Sequence, residues 1–269
     1  MWTTVALLSA LCLAPQDAGP LKLDNIRSTH GVLGPARDSE KYVPGDSLTL
    51  NFDIDGITTD EKGKVLYSIG IDVINIADKS LVFRQPPQNP PLETTTFFGG
   101  NRVQGYAHLD LGTDQPPGDY SMTVTVTDRA TKSSKEMIHK FTVVKPELAL
   151  VRLKTSSDRD GDLPVPVTGQ GQALWLNFGI VGFARDASTK QPSVLMEFDI
   201  RDAEGKSTLQ KPLGKVFDKE VPEKNLAIPL QYPIALTRAG KFTLELTATD
   251  QITKKKTKLA VPFNVQPVK

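Results

Sequence analysis

With 269 residues, 39% hydrophobic and 23% charged, the chain has room for two ordinary domains of roughly 100–150 residues. Its composition argues against both a disordered chain and a spanning membrane protein. Thirty-two basic residues against 31 acidic leave a formal charge of +1, so no global field draws the chain to nucleic acid or an anionic membrane.

The first element in chain order is Val5 to Leu13, a short uncharged apolar run with the length of a signal-peptide core and too short to span a bilayer. Residues 1–18 are read as a signal peptide, with Ala18 before Gly19 as the cleavage point, although no Lys or Arg precedes the run. A buried first strand is the competing reading. Cys12, the only cysteine, lies inside this run, so the mature chain has no disulfide and no thiolate metal site. A secreted or periplasmic (cell-envelope) location follows from this reading.

The rest of the sequence is one pattern written twice. Gly118-Asp119-Tyr120 opens a stretch that recurs from Gly240-Lys241-Phe242, carrying Asp128 onto Asp250, Phe141 onto Phe263 and Val143 onto Val265. Upstream, Leu48 to Phe52 recurs as Leu174 to Phe178, and Asp72 to Ser80 as Asp199 to Ser207. Two domains are therefore expected, 19–145 and 146–269. Internal repetition of this kind is read before any local signal.

Within the repeated blocks the period is two. Tyr120, Met122, Val124 and Val126 alternate with Ser121, Thr123, Thr125 and Thr127, and the second copy keeps the pattern with Phe242, Leu244, Leu246 and Ala248. Tyr67, Ile69, Ile71 and Val73 correspond likewise to Val194, Met196, Phe198 and Ile200. Hairpins are expected at Asp128–Lys132 and Asp250–Lys254. The triple lysine Lys254-Lys255-Lys256 at the second tip reads as solvation and edge protection. No long stretch has helical period, and 20 prolines with 20 glycines supply the turns of an all-β chain of two tandem antiparallel sandwiches. The link Val144-Lys145-Pro146-Glu147 is short, which predicts limited pivoting between them.

The Gly-x-Tyr/Phe start, alternating strand, Asp, hairpin and final strand resemble the end of immunoglobulin-like and fibronectin type III-like modules of bacterial exported proteins. The resemblance implies a sandwich fold and leaves function open. It lacks the Cys pair and core Trp of antibody domains. Tyr120 resembles a tyrosine-corner residue, but Phe242 stands in its place in the second copy, and core packing is the expectation for both.

The candidate functional residues lie where the copies differ. Phe97 and Phe98, beside Gly99 and Gly100, read as a recognition tip or as one buried and one half-buried aromatic near a strand end. Gln85 to Pro91 is too proline-rich for a central strand. His139 is placed at the core margin with a backbone hydrogen bond. Asp158, Asp160 and Asp162 alternate around Gly161, which suits a Ca²⁺ loop or a solvated turn. Trp175 takes the place of Thr49 and should face outward, as a stacking platform for a polysaccharide or a protein contact, or packed beneath a loop or against the other domain. The three mature histidines are widely spaced and no nucleophile or phosphate-loop motif occurs, so no enzyme, no nucleic-acid partner and no cofactor beyond Ca²⁺ is expected. An unidentified protein partner is the expected ligand.

Overall fold

The computed structural model describes residues 20–165 and 168–268. The segment read as a signal peptide, with Cys12, lies outside the described residues. Among the described residues there is no helix, and so none long and apolar enough to cross a membrane.

The first half contains β1 (Lys22–Thr29), β2 (Lys41–Tyr42), β3 (Ser47–Asp55), β4 (Lys64–Asn75), β5 (Leu81–Gln85), β6 (Leu92–Thr95), β7 (Arg102–Asp110), β8 (Gly118–Asp128) and β9 (Ser134–Val143). One sheet runs β1-β3-β7 and the other β2-β9-β8-β4-β5, with β6 also paired to β4. The second half contains β10 (Ala149–Ser156), β11 (Thr168–Gly169), β12 (Ala173–Val181), β13 (Val194–Arg201), β14 (Leu213–Phe217), β15 (Ala227–Ala235), β16 (Gly240–Asp250) and β17 (Lys256–Gln266). Its sheets run β10-β12-β15 and β11-β17-β16-β13-β14. Strand for strand the order is the same, with β6 added in the first half. Among the described residues every strand pairing stays within its own half.

The period-two pattern becomes burial. On β8 every second residue from Tyr120 to Asp128 is buried, and on β16 the same holds from Phe242 to Asp250. Leu48, Leu50, Phe52 and Ile54 of β3 close the first core from the facing sheet, as Leu174, Leu176, Phe178 and Ile180 of β12 close the second. The second core is looser. Phe198, Ile200, Tyr232 and Phe263 are only partly buried around it, whereas their first-half counterparts Ile71, Val73, Ala107 and Phe141 are buried.

Alternation fails informatively on β3, where Thr49 and Asn51 are buried on the supposedly polar face. Each finds polar partners there: Asn51 donates its side-chain amide to Thr29 at the end of β1 and accepts Leu33 N–H from the segment that follows, and Thr49 Oγ1 lies 2.9 Å from His108 Nδ1 of β7. Asn177 repeats the contact with Ser156 at 3.4 Å. Thus the shared Asn of the Leu-x-Leu-Asn-Phe block fastens β1 to β3 in the first half and β10 to β12 in the second.

Both hairpins form as expected, with the same geometry. Lys132 N–H donates to Asp128 O and Lys254 N–H to Asp250 O, each at 2.8 Å, and both lysines hold φ of 62°. Tyr120 departs from the plain packing role: its buried hydroxyl donates to Pro116 O at 2.7 Å and accepts Gln115 Nε2 at 2.9 Å, a tyrosine corner. His139 also departs from expectation, since its Nε2 lies 2.8 Å from the carboxylate of Glu40 rather than on backbone.

Side-chain contacts join the halves across the short link. Val43 of the first half packs with Val151 and Val181 of the second. β1 and β10 each carry a bulge at matching positions, with Asn25 at φ 51° and Arg152 at φ 54°. At the second bulge Arg152 N–H donates to Asp46 Oδ1 and its Nε to Gly45 O, each at 2.8 Å. Gly31, at φ +76°, abuts the second half so closely that a Cβ would sit 2.8 Å from Lys154 Cβ.

Candidate functional site

The candidate tip is built at one end of the first half. Thr96 N–H donates to Gly63 O at 2.8 Å and Thr96 Oγ1 to the same oxygen at 3.1 Å, which ties the segment after β6 to the turn before β4. Gly99 N–H then closes a four-residue turn on Thr96 O at 2.8 Å. Gly99 and Gly100 hold φ of 75° and 91°, which lets the chain reverse there without a side-chain penalty. Ile57 N–H donates to Asn101 O at 3.0 Å and fixes the far side of the loop.

On this fastened base Phe97 is 88% exposed and Phe98 fully exposed. Of the two readings open from sequence, one buried and one half-buried aromatic is therefore overturned: the turn carries both rings away from the sheets. A side chain such as Phe loses favourable free energy when left in water, on the order of 1.5–3 kcal/mol relative to burial.

Asp128 supports the tip from within. It is buried, and its carboxylate accepts N–H groups of Ala130 at 2.8 Å, Thr131 at 3.4 Å and Thr58 at 2.9 Å. Burial pushes this carboxyl up, but the hydrogen bonds from Thr58, Ala130 and Thr131 outweigh it and hold it below its ordinary value. Thr58 lies in the loop that leads to Gly63, so the anchor, the loop and the tip form a connected series. Asp250 does the same in the second half, accepting Ile252, Thr253 and Ala184 N–H. Sequence comparison matched the two aspartates; that each ties a distant loop became visible only in the fold.

Asp158 spends its carboxylate on its own turn, accepting N–H from Leu163 at 2.7 Å and from Asp160 and Asp162 at 3.1 Å. These bonds, that from Leu163 first, hold the carboxyl below its usual value. Among the described residues no three His, Cys, Asp or Glu side chains converge to hold a metal ion. Trp175 lies on the face opposite buried Leu174 and Leu176 and is itself half-buried, with Ser156 and Pro233 as cross-strand neighbours. The structure thus keeps Phe97 and Phe98 together at one tip. Trp175 and Asp158 to Asp162 lie apart from it, in the other half.

No protein-family model matches the sequence, and no curated protein matches it. Solved structures give a remote likeness. Escherichia coli alpha-2-macroglobulin activated by porcine elastase is 12% identical with a TM-score of 0.30, over 92% of this chain and 22% of that one. The C-terminal domain of the Streptococcus pyogenes antigen I/II-family protein AspA is 12% identical at 0.30, covering 91% of this chain and all of that one. The C-terminal domain of the Streptococcus agalactiae AgI/II polypeptide BspA is 9% identical at 0.29, covering 90% and 100%. Scores at this level carry neither a fold nor a function across.

Proposed function

We propose that this chain is a non-enzymatic exported binding protein, in which two tandem immunoglobulin-like sandwiches present loops to a protein partner in the bacterial envelope or outside the cell. The sandwich reading is supported by the sheet orders, by the short parallel pairings of β2 with β9 and β11 with β17, and by the Tyr120 corner. Export is supported by the apolar run Val5 to Leu13.

One observation carries the binding role: two adjacent aromatic rings stand in solvent on a turn whose base is fastened by hydrogen bonds to Gly63 and Asn101. Rigid exposed aromatics of this kind are the side chains that dominate protein interfaces. The mechanism is insertion of Phe97 and Phe98 into an apolar recess of the partner. The expected result is that Phe97→Ala with Phe98→Ala weakens a captured envelope partner at least tenfold while the melting temperature stays within about 1 °C of wild type. Unchanged capture, or collapse of the fold, sinks the proposal.

A further inference from the structure

The second half contains a space that the first half has filled. A cavity of about 620 Å³ opens between its sheets, walled by Leu174, Leu176, Phe242, Leu244 and Val261. Leu33 to Ala36 of the first half also line it, and Asp202, Lys241 and Asn264 contribute polar groups to the lining. Apolar cavities of roughly 300–1,000 Å³ with a few convergent polar groups are the sites that take small ligands.

Strand register shows what fills the corresponding space in the first half. Tyr42 pairs with Val143 and Thr168 with Val265, and those two valines lie opposite Gly118 and Gly240 in turn. Thr168 therefore stands at the place of Tyr42. By the same register Val261, opposite Leu244, stands at the place of His139, opposite Met122. Thr155, opposite Leu176, stands at the place of Ser28, opposite Leu50.

In the first half the Tyr42 ring is buried edge-on against Phe141, with centroids 5.8 Å apart at 84°. Its hydroxyl donates to Glu40, which also accepts Ser28 Oγ and lies 2.8 Å from His139. Among the described residues the second half has threonine where the ring stands and valine where the histidine stands. It has nevertheless kept the aromatic wall behind the ring: Phe242 and Phe263 stack at 5.6 Å, as Tyr120 and Phe141 do at 5.5 Å. Thr168 turns its hydroxyl onto Asn264 O at 3.0 Å, away from any need for a partner in the space.

We infer that this cavity is a binding site for a small single-ring aromatic molecule of the phenol class, which takes the place that Tyr42 holds in the other half. The ring packs on the Phe242–Phe263 wall and its polar group meets the polar lining residues. A mainly apolar recess that also offers a few polar groups suits an aromatic ring carrying one polar substituent. The site lies in the half that does not carry Phe97 and Phe98, so it goes beyond the proposed partner binding and is independent of it.

The test uses the full chain and p-cresol, with 4-methylcyclohexanol as the aliphatic match in size. Millimolar p-cresol is expected to raise the melting temperature and to shift the methyl resonances of Leu174, Leu244 and Val261, with the cyclohexanol weaker by at least threefold. Thr168→Tyr, which supplies the ring covalently, should weaken p-cresol binding more than tenfold. Val261→Phe, filling from the opposite wall, should do the same and decides the matter should the tyrosine variant fold poorly. Phe97→Ala with Phe98→Ala should leave p-cresol binding unchanged. No methyl shift with p-cresol, or equal shifts in both filling variants, overturns the assignment.

Discussion

The two halves share a frame and differ in what each frame leaves open. The first is closed inside and open at its tip: Tyr42, Tyr120 and Phe141 are buried together, while β6 and its turn raise Phe97 and Phe98 into solvent. The second is bland at the corresponding end, where β6 has no counterpart, and open inside, where Thr168 and Val261 leave the cavity. What the copies hold in common, such as Asp128 with Asp250 and Asn51 with Asn177, includes polar side chains that are themselves buried and hydrogen-bonded. Divergence has been tolerated at loop tips and at one core layer, and retained identity sits where an unpaired polar group would be costly.

The comparison is broken most forcefully at those aspartates. Asp128→Ala and Asp250→Ala each remove a buried carboxylate that accepts three backbone N–H groups, and each should cost roughly 3–5 kcal/mol in chemical denaturation, because a hydrogen bond to a charged group contributes on the order of 1.5–3 kcal/mol. Asp128→Ala should in addition speed amide exchange at Thr58 and Thr96, since the tip hangs from that anchor. Both carboxyls titrate below their ordinary value in the folded protein. Their stabilisation is therefore complete above the ordinary value of 3.8 and disappears as pH falls through the lower folded value. Equal losses in the two variants would confirm a shared device; a loss at Asp128 alone would show that the second half has found another way to hold Ala184.

Much of the frame was legible because its signal is local. Alternation from Tyr120 to Val126 and from Phe242 to Ala248 specifies a buried face with no knowledge of the partner strand. What covers a face is not local. Thr49 and Asn51 sit at polar positions and are buried among partners from β7, from β1 and from the segment after it, and Arg152 meets Asp46 at a bulge. The Tyr120 corner was visible as a residue type, but its acceptor, Pro116 O, depends on the course of a loop. Phe97 and Phe98 stood out by composition, yet their exposure rests on Thr96 bonding Gly63, a contact between residues far apart in sequence. The cavity was the least legible feature, for it is defined by a missing ring and can be seen only when Tyr42 and Thr168 are placed on the same register.

A smaller effect separates the halves by pH. His30 is buried in the first half, and burial first, then the Arg37 charge, pull its pKa down from 6.5 to about 4. Its counterpart across the repeat is Ser157, which has no such titration. The folded state resists a proton that the unfolded chain takes up, so stability is whole above about pH 6.5 and declines between there and about pH 4, by about 3 kcal/mol in all at ~1.4 kcal/mol per unit. His30→Gln should flatten this slope over that interval while leaving the acid loss at the aspartates in place. A slope that persists in the variant would move the effect to another group.

The smallest expected difference tests whether the corner belongs to one half or is latent in both. Tyr120→Phe removes the hydrogen bond to Pro116 O and the one accepted from Gln115 Nε2, and should cost about 1–2 kcal/mol, each such bond having a net worth of about 1 kcal/mol or less at a partly buried site. The reverse exchange, Phe242→Tyr, should give no matching gain. Four residues upstream of Phe242 stands Arg238, whose guanidinium lies 5.2 Å from the centre of the Phe242 ring, so this stretch presents a cation to the ring where the first half presents a carbonyl. A gain near 1 kcal/mol in Phe242→Tyr would mean that the carbonyl acceptor is present in both halves and that only the side chain has changed. No gain would mean that the loop before β16 has itself diverged, and the looseness of the second core would then begin at this corner.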